Sequence, residues 1–389
     1  MHLRRPVGSS PRRPRSRAVR WTVRAVVALL VLGIVALAGI GWYFSGLAVA
    51  VGSHAFDPSA TVRSVAADGS SVELTATDDT RDPELLGMEW PDGYGRLGAV
   101  LASTPTTVTR AYTSLVGRPT PGQPVAFDVG AYPGDPRSAL GLDFTDLSLP
   151  SELGALPTWY VPAAHTDGTW VVFVHGHDSS RRESLRYHTM LHDRGLPVLV
   201  PTFRNDVGAP RSPDGKDHLG GTEWRDIEPA VRWAMAHGAR GVELFGWSMG
   251  GAVSLQFLDR SPLRTDVRGL VLDSPVVSWA DVLRRQGDQK GLPGPVTAVA
   301  EWVVGLRLGL GLDRYDWVAR AGELTRPMFI VHSDADHYVP DGPAKALAKA
   351  RPDLVTYLDI PGAGHTRGWN VDQQRYRSGL AAWLTRQGL

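Results

Sequence analysis

The chain has 389 residues, 43% hydrophobic and 21% charged, enough to bury a large core and to hold one big domain plus extras. It contains no cysteine, which excludes disulfides and thiolate chemistry. The formal net charge of +1 hides an asymmetry. Eight arginines (Arg4, Arg5, Arg12, Arg13, Arg15, Arg17, Arg20, Arg24) and no acid occupy the first 24 residues, leaving −7 on the rest. A mildly acidic body argues against nucleic acid as its partner.

Residues 1–24 read as a basic arm. "AVVALLVLGIVALAGIGWYF", 25–44, is uncharged, and twenty helical residues span about 30 Å, the thickness of a bilayer's hydrocarbon core. Trp42 and Tyr43 stand where interfacial aromatics lie, and Trp21 marks the other end. The arginine excess predicts a cytoplasmic N-terminus touching anionic lipid heads, a single-pass membrane helix and an extracytoplasmic body. The competing reading is a secretory signal cleaved near Ala48–Ala50, but the apolar run is longer than a usual signal core. Both readings export the body.

Residues 45–140 are rich in Gly, Pro, Ser and Thr. Short period-two alternations, Val72/Leu74/Ala76 and Val125/Phe127/Val129, predict a small β-rich region or stalk. From 141 to 389 apolar strands alternate with helices. "TWVVFVHG", "LPVLVPTF", "GVELFGWS", "GLVLDSP", "PMFIVHS" and "LVTYLDIPG" read as strands, with helices such as "TEWRDIEPAVRWAMAHG" between them. The fold class expected is α/β: a mainly parallel sheet with helices on both faces, preceded by the membrane helix and the β-rich region. An insertion at 276–326 contains "VTAVAEWVVGLRLGLGL", which is either core or a lid over a pocket.

"VELFGWSMGGAVSL", 242–255, carries Gly246, Ser248 and Gly250 as G-x-S-x-G between an apolar strand and a helix. That context makes Ser248 a candidate nucleophile on a sharp strand-to-helix turn, beside the positive end of a helix. A serine hydroxyl needs a base to take its proton and an acid to orient the base. "DIPGAGHTRGW" supplies His365 directly after the last strand, and "VHSDADHYVP" supplies acids after the strand before it.

These motifs resemble the α/β-hydrolase superfamily, whose order is Ser…Asp…His. H-S-D-A-D-H-Y-V-P resembles the family's H-G-x-x-D-x-x-V-P, which implies the acid is Asp336 rather than Asp334; Asp273, ending another strand, is a second rival. "GAGH" is similar to the family's histidine loop, and "VFVHGHDSSR" to its oxyanion loop. By that resemblance the backbone N–H groups of Met249 and His177 face the oxyanion, with Asp178 as the alternative to His177. The likeness covers 141–389 and leaves 1–140 unexplained. "HGHD" starts like a metallo-hydrolase H-x-H-x-D-H, but the aspartate comes one place early and the next histidine is His188, so neither metal nor cofactor is expected. His175, His332 and His337 read as structural neighbours; Arg181, Asn205 and Asp206 also follow strand ends and read as loop hydrogen-bonding residues, with substrate contact as the alternative. The resemblance implies a serine hydrolase of the carboxylesterase or lipase type, cleaving a small-molecule ester or other acyl bond through an acyl-enzyme. Peptidases and acyltransferases use the same machinery, and a noncatalytic anchored binding protein is the reading from another class.

Overall fold

A computed structural model describes residues 17–53, 55–309 and 311–389. Arg4 to Arg15 of the basic arm therefore lie outside the described residues. The chain starts as one helix, Arg17–Ala48, of which Val19–Ala48 is long and apolar enough to cross a membrane.

Six strands follow: β1 (Ala60–Val65), β2 (Ser71–Thr75), β3 (Leu86–Trp90), β4 (Gly93–Ser103), β5 (Thr107–Val116) and β6 (Pro124–Asp128). They close in the order β1-β2-β5-β4-β3-β6 into a barrel, with antiparallel pairing throughout. Period-two alternation turns Val72 and Leu74 inward, where they meet Val62, Leu86, Met88, Leu97 and Val125. Closure pairs both strand edges that a free sheet of this size would expose.

The second sheet contains β7 (Thr145–Pro150), β8 (Ala155–Val161), β9 (Thr169–Val174), β10 (Val198–Pro201), β11 (Gly241–Trp247), β12 (Val267–Asp273), β13 (Met328–His332) and β14 (Val355–Asp359). Their order is β14-β13-β12-β11-β9-β10-β8-β7. Pairing is parallel from β14 through β10 and antiparallel at β10/β8 and β8/β7. The expectation of a mainly parallel sheet thus holds for its centre, while the chain as a whole is mixed. The reason is local: β7 and β8 are joined by a tight turn at 151–154 with no crossover helix, and such strands can pair only antiparallel.

Strand alternation splits the core into two layers. Val171 and Phe173 of β9 face one way, against Tyr187, Leu191, Tyr376, Leu380 and Trp383 of the helices Leu185–Asp193 and Gln373–Arg386. Val172 and Val174 face the other, against Ile227, Val231, Val253 and Leu347 of three further helices. The 276–326 insertion folds mainly as two helices, Trp279–Gln289 and Gly294–Leu308. The second is not apolar core all round: Val303, Val304 and Leu308 are buried while Trp302 and Leu306 are exposed.

Inside the barrel lies Arg110 of β5, fully buried. Its guanidinium donates to the carbonyls of Gly98, Thr80, Asp82 and Glu84, tying the 79–84 loop to the barrel wall. Replacing Arg110 with Met leaves those carbonyls without their buried donor and should lower the unfolding free energy by about 3 kcal/mol. Chemical denaturation in mild detergent measures it; an unchanged midpoint would show that these bonds add no net stability.

Candidate active site

Ser248 is the single residue between the end of β11 and the helix Met249–Arg260. Its backbone sits at φ 50°, ψ −116°, a strained region for a residue with a side chain. The turn is held by backbone bonds, Ser248 N–H to Asp273 C=O at 3.0 Å and Val276 N–H to Ser248 C=O at 3.1 Å. The motif glycines are required by space. A Cβ on Gly246 would lie 2.6 Å from the Gly250 oxygen, and one on Gly250 would overlap the Val174 carbonyl.

His365, in the loop after β14, places Nε2 2.8 Å from Ser248 Oγ and Nδ1 2.7 Å from Asp336 Oδ2. Asp336, after β13, is buried; its Oδ1 accepts the N–H groups of Tyr338 and Val339, each at 2.9 Å. His332 Nε2 lies 3.2 Å from the same Oδ2. Burial pushes the Asp336 carboxyl up, but the hydrogen bonds from His332 and His365 outweigh it and hold the group well below the usual carboxylate range. An ionised Asp336 only accepts, so His365 Nδ1 carries the proton and Nε2 is left to accept from the serine hydroxyl. The arrangement can move the Ser248 proton onto His365. Both rival acids are elsewhere: Asp334 is exposed and accepts from Gly362 N–H, and Asp273 is buried under the Tyr376 hydroxyl at 3.0 Å.

Met249 opens its helix, so its N–H belongs to the unpaired first turn beside Ser248. Gly176, His177 and Asp178 form the opposite wall. Gly176 N–H is pinned by Glu183 Oε2 at 2.9 Å, and the His177 ring by Ala50 C=O at 3.1 Å and Asp217 Oδ2 at 3.0 Å. His175 is paired with Asp206 at 2.8 Å, and His188 with the Ser184 hydroxyl at 2.8 Å. The histidines of the metal-like pattern are thus partnered separately.

Ser248 and His365 open into a cavity of about 820 Å³. Its walls come from three parts of the chain: Phe56 after the N-terminal helix, Glu89 and Phe127 of the barrel, and Trp159 and Arg181 beside the sheet. Among the described residues, none of 276–326 lines it.

Sequence reading missed the junction between the barrel and this site. Arg182 pairs with Glu89 at 2.9 Å and Asp128 at 3.4 Å. Arg367, two residues after His365, pairs with Asp79 and Asp82, and Asn370 donates to the carbonyls of Leu85 and Val129. Glu84 Oε1 accepts from Gly364 N–H at 3.3 Å, next to His365 itself. "GHTRGWN" held polar side chains close after the histidine, Arg367 and Asn370 among them, but nothing local names their partners.

Residues 61–128, the barrel, match a family described only as a domain of unknown function (DUF8805). Uncharacterised proteins from two strains of Mycobacterium tuberculosis are 28% identical over 238 residues, covering 58% of this chain and 74% of their own. Among solved structures, a Pyrococcus furiosus esterase, Pf2001, superposes with a TM-score of 0.53 at 20% identity, over 66% of this chain and 95% of its own. A second crystal form of that esterase gives 0.51 at 20% identity, over 65% and 94%. The eight-stranded sheet and its helices thus share the fold of Pf2001. The likeness to Pf2001 covers about two thirds of this chain.

The Glu84 contact generates a pH prediction. Burial foremost, with the neighbouring Asp82 charge, raises the Glu84 carboxyl to about 7, against the pull of Arg367. Between the ordinary value of 4.5 and about 7 the folded chain holds a proton that the unfolded chain has released. The stability contributed by Glu84 therefore falls as pH rises through that window and stays low above it. Glu84→Gln keeps an acceptor for Gly364 and does not titrate. Its stability relative to the natural protein should rise by about 3 kcal/mol between pH 4.5 and 7.5. A difference that is flat with pH would exclude the raised carboxyl.

Proposed function

We propose that the protein is a serine hydrolase that cleaves an ester bond through an acyl-enzyme intermediate. The observation that carries this is the unbroken chain Ser248 Oγ, His365 and Asp336, linked at 2.8 and 2.7 Å. Ser248 Oγ attacks the ester carbonyl while His365 Nε2 takes its proton; the new C–O bond forms as the carbonyl electron pair moves to oxygen. The N–H groups of Met249 and His177 are the donors for that oxyanion. His365 then protonates the leaving alcohol, and water, activated by the same nitrogen, releases the acid. Asp336 keeps its charge throughout and stabilises the imidazolium.

The ester assignment is supported by the fold neighbour from Pyrococcus furiosus, which is an esterase. The apolar N-terminal helix acts as a single-pass anchor, with the arginine-rich start in the cytoplasm and the body outside.

A fluorophosphonate probe should label the natural protein and not Ser248→Ala; equal labelling of both would remove Ser248 as nucleophile. Asp336→Asn should keep the fold yet lower kcat by about a thousandfold or more, because the histidine loses its tautomer. Short- and long-chain p-nitrophenyl esters should turn over where peptide amides do not, and cleavage of amides alone would overturn the ester assignment.

A further inference from the structure

The N-terminal helix does not leave the body as a free tether. One face, Leu37, Gly41, Ser45 and Ala48, is turned inward at helical spacing, and the helix Gly294–Leu308 packs on it. Gly41 makes the approach possible, since a Cβ there would sit 2.7 Å from Val299 Cγ1. Arg307 closes the contact: its guanidinium stacks 3.8 Å from the Trp42 ring centre and donates to the Trp42 carbonyl at 3.0 Å.

Among the described residues, no protein covers the other face of Gly294–Leu308. Ala298, Trp302 and Leu306, four residues apart, are exposed, the last two by 66% and 61%. The helix's charged groups are engaged elsewhere, Glu301 half-buried near Arg284 at 3.5 Å and Arg307 on Trp42. Trp42, Tyr43 and Leu47 of the N-terminal helix, against which this helix packs, are exposed as well. A soluble surface rarely leaves such side chains together in water. Counting about 30 Å from Arg24 places the outer edge of a hydrocarbon core near residue 44, level with the Trp42–Arg307 stack. Aromatic rings and an arginine whose stem lies on apolar surface suit that depth.

We infer that the helix Gly294–Leu308 is embedded in the outer interfacial layer of a lipid bilayer beside the N-terminal helix, a second membrane contact that seats the body on the lipid surface. The inference rests on the anchoring reading above. It gives the insertion a role away from the cavity, and the short path from Ala48 to the site follows from it. Val49 C=O accepts from Asp217 N–H at 3.0 Å, Ala50 C=O takes the His177 ring, and Phe56 already lines the cavity.

The cysteine-free chain permits a direct test. Single variants Leu306→Cys and Ala298→Cys, with Leu32→Cys in the N-terminal helix and Ser378→Cys on the far helix, carry an environment-sensitive fluorophore. The full chain is placed in phosphatidylcholine–phosphatidylglycerol vesicles containing doxyl lipids. Both insertion positions should be quenched at least about twofold by doxyl groups near the headgroups, Leu32 by doxyl groups deep in the acyl chains, and Ser378 by neither. Quenching at Leu32 with none at 298 and 306 overturns the inference and leaves the anchor standing; this includes a blue shift without quenching, the mark of a second copy on that face. No quenching at Leu32 overturns the anchor and the inference together.

Discussion

Everything in this structure is arranged around one residue of strained backbone, Ser248 at φ 50°. A strand that must become a helix within one residue brings the start of the helix onto the neighbouring strand end. The turn survives only because Gly246 and Gly250 carry no side chain there. The cost of such a conformation is of order 1–3 kcal/mol and has to be offset by packing that leaves no alternative. Trp247, fully buried and stacked 3.9 Å from Phe173, supplies that grip from one side, and the backbone bonds to Asp273 and Val276 supply it from the other.

The charges around the turn follow from burial. Asp336 is kept ionised inside the protein because several donors converge on it, two of them backbone N–H groups and two of them histidine nitrogens. His332 occupies an oxygen that would otherwise be left with a single partner, so it positions the carboxylate for His365 rather than meeting substrate. Asp273 shows the contrast: equally buried, it sits under the Tyr376 and Tyr187 hydroxyls, and burial drives its carboxyl up. Two aspartates at neighbouring strand ends thus have opposite electrostatic characters.

The barrel and the N-terminal segment add walls to the site beyond the part of the chain that shares its fold with Pf2001. Ion pairs from Arg182 and Arg367 bolt the barrel to the loops on both sides of Ser248, and the Phe56 segment closes the third side. The cavity is therefore a joint product of parts lying hundreds of residues apart, with Glu84 and Gly364 in contact across 280 positions.

The sequence by itself determined the parallel strands β9 to β14, the turn at Ser248 and the loops holding Asp336 and His365, because each rests on local rules: an apolar run bounded by turn residues, a glycine where a Cβ cannot fit, a polar residue where a strand ends. It also marked the apolar N-terminal run by length and charge alone. The hairpin β7–β8 at the sheet edge was the local feature it obscured, since a strand's apolar pattern does not state its direction. The motif around Asp336 already favoured it over Asp334 and Asp273, but only the tertiary structure closed the 60–128 strands into a barrel and set the insertion helix on Gly41 instead of over the cavity. Those outcomes depend on which distant surfaces fit one another, and complementarity between distant surfaces leaves no periodic mark in a single chain.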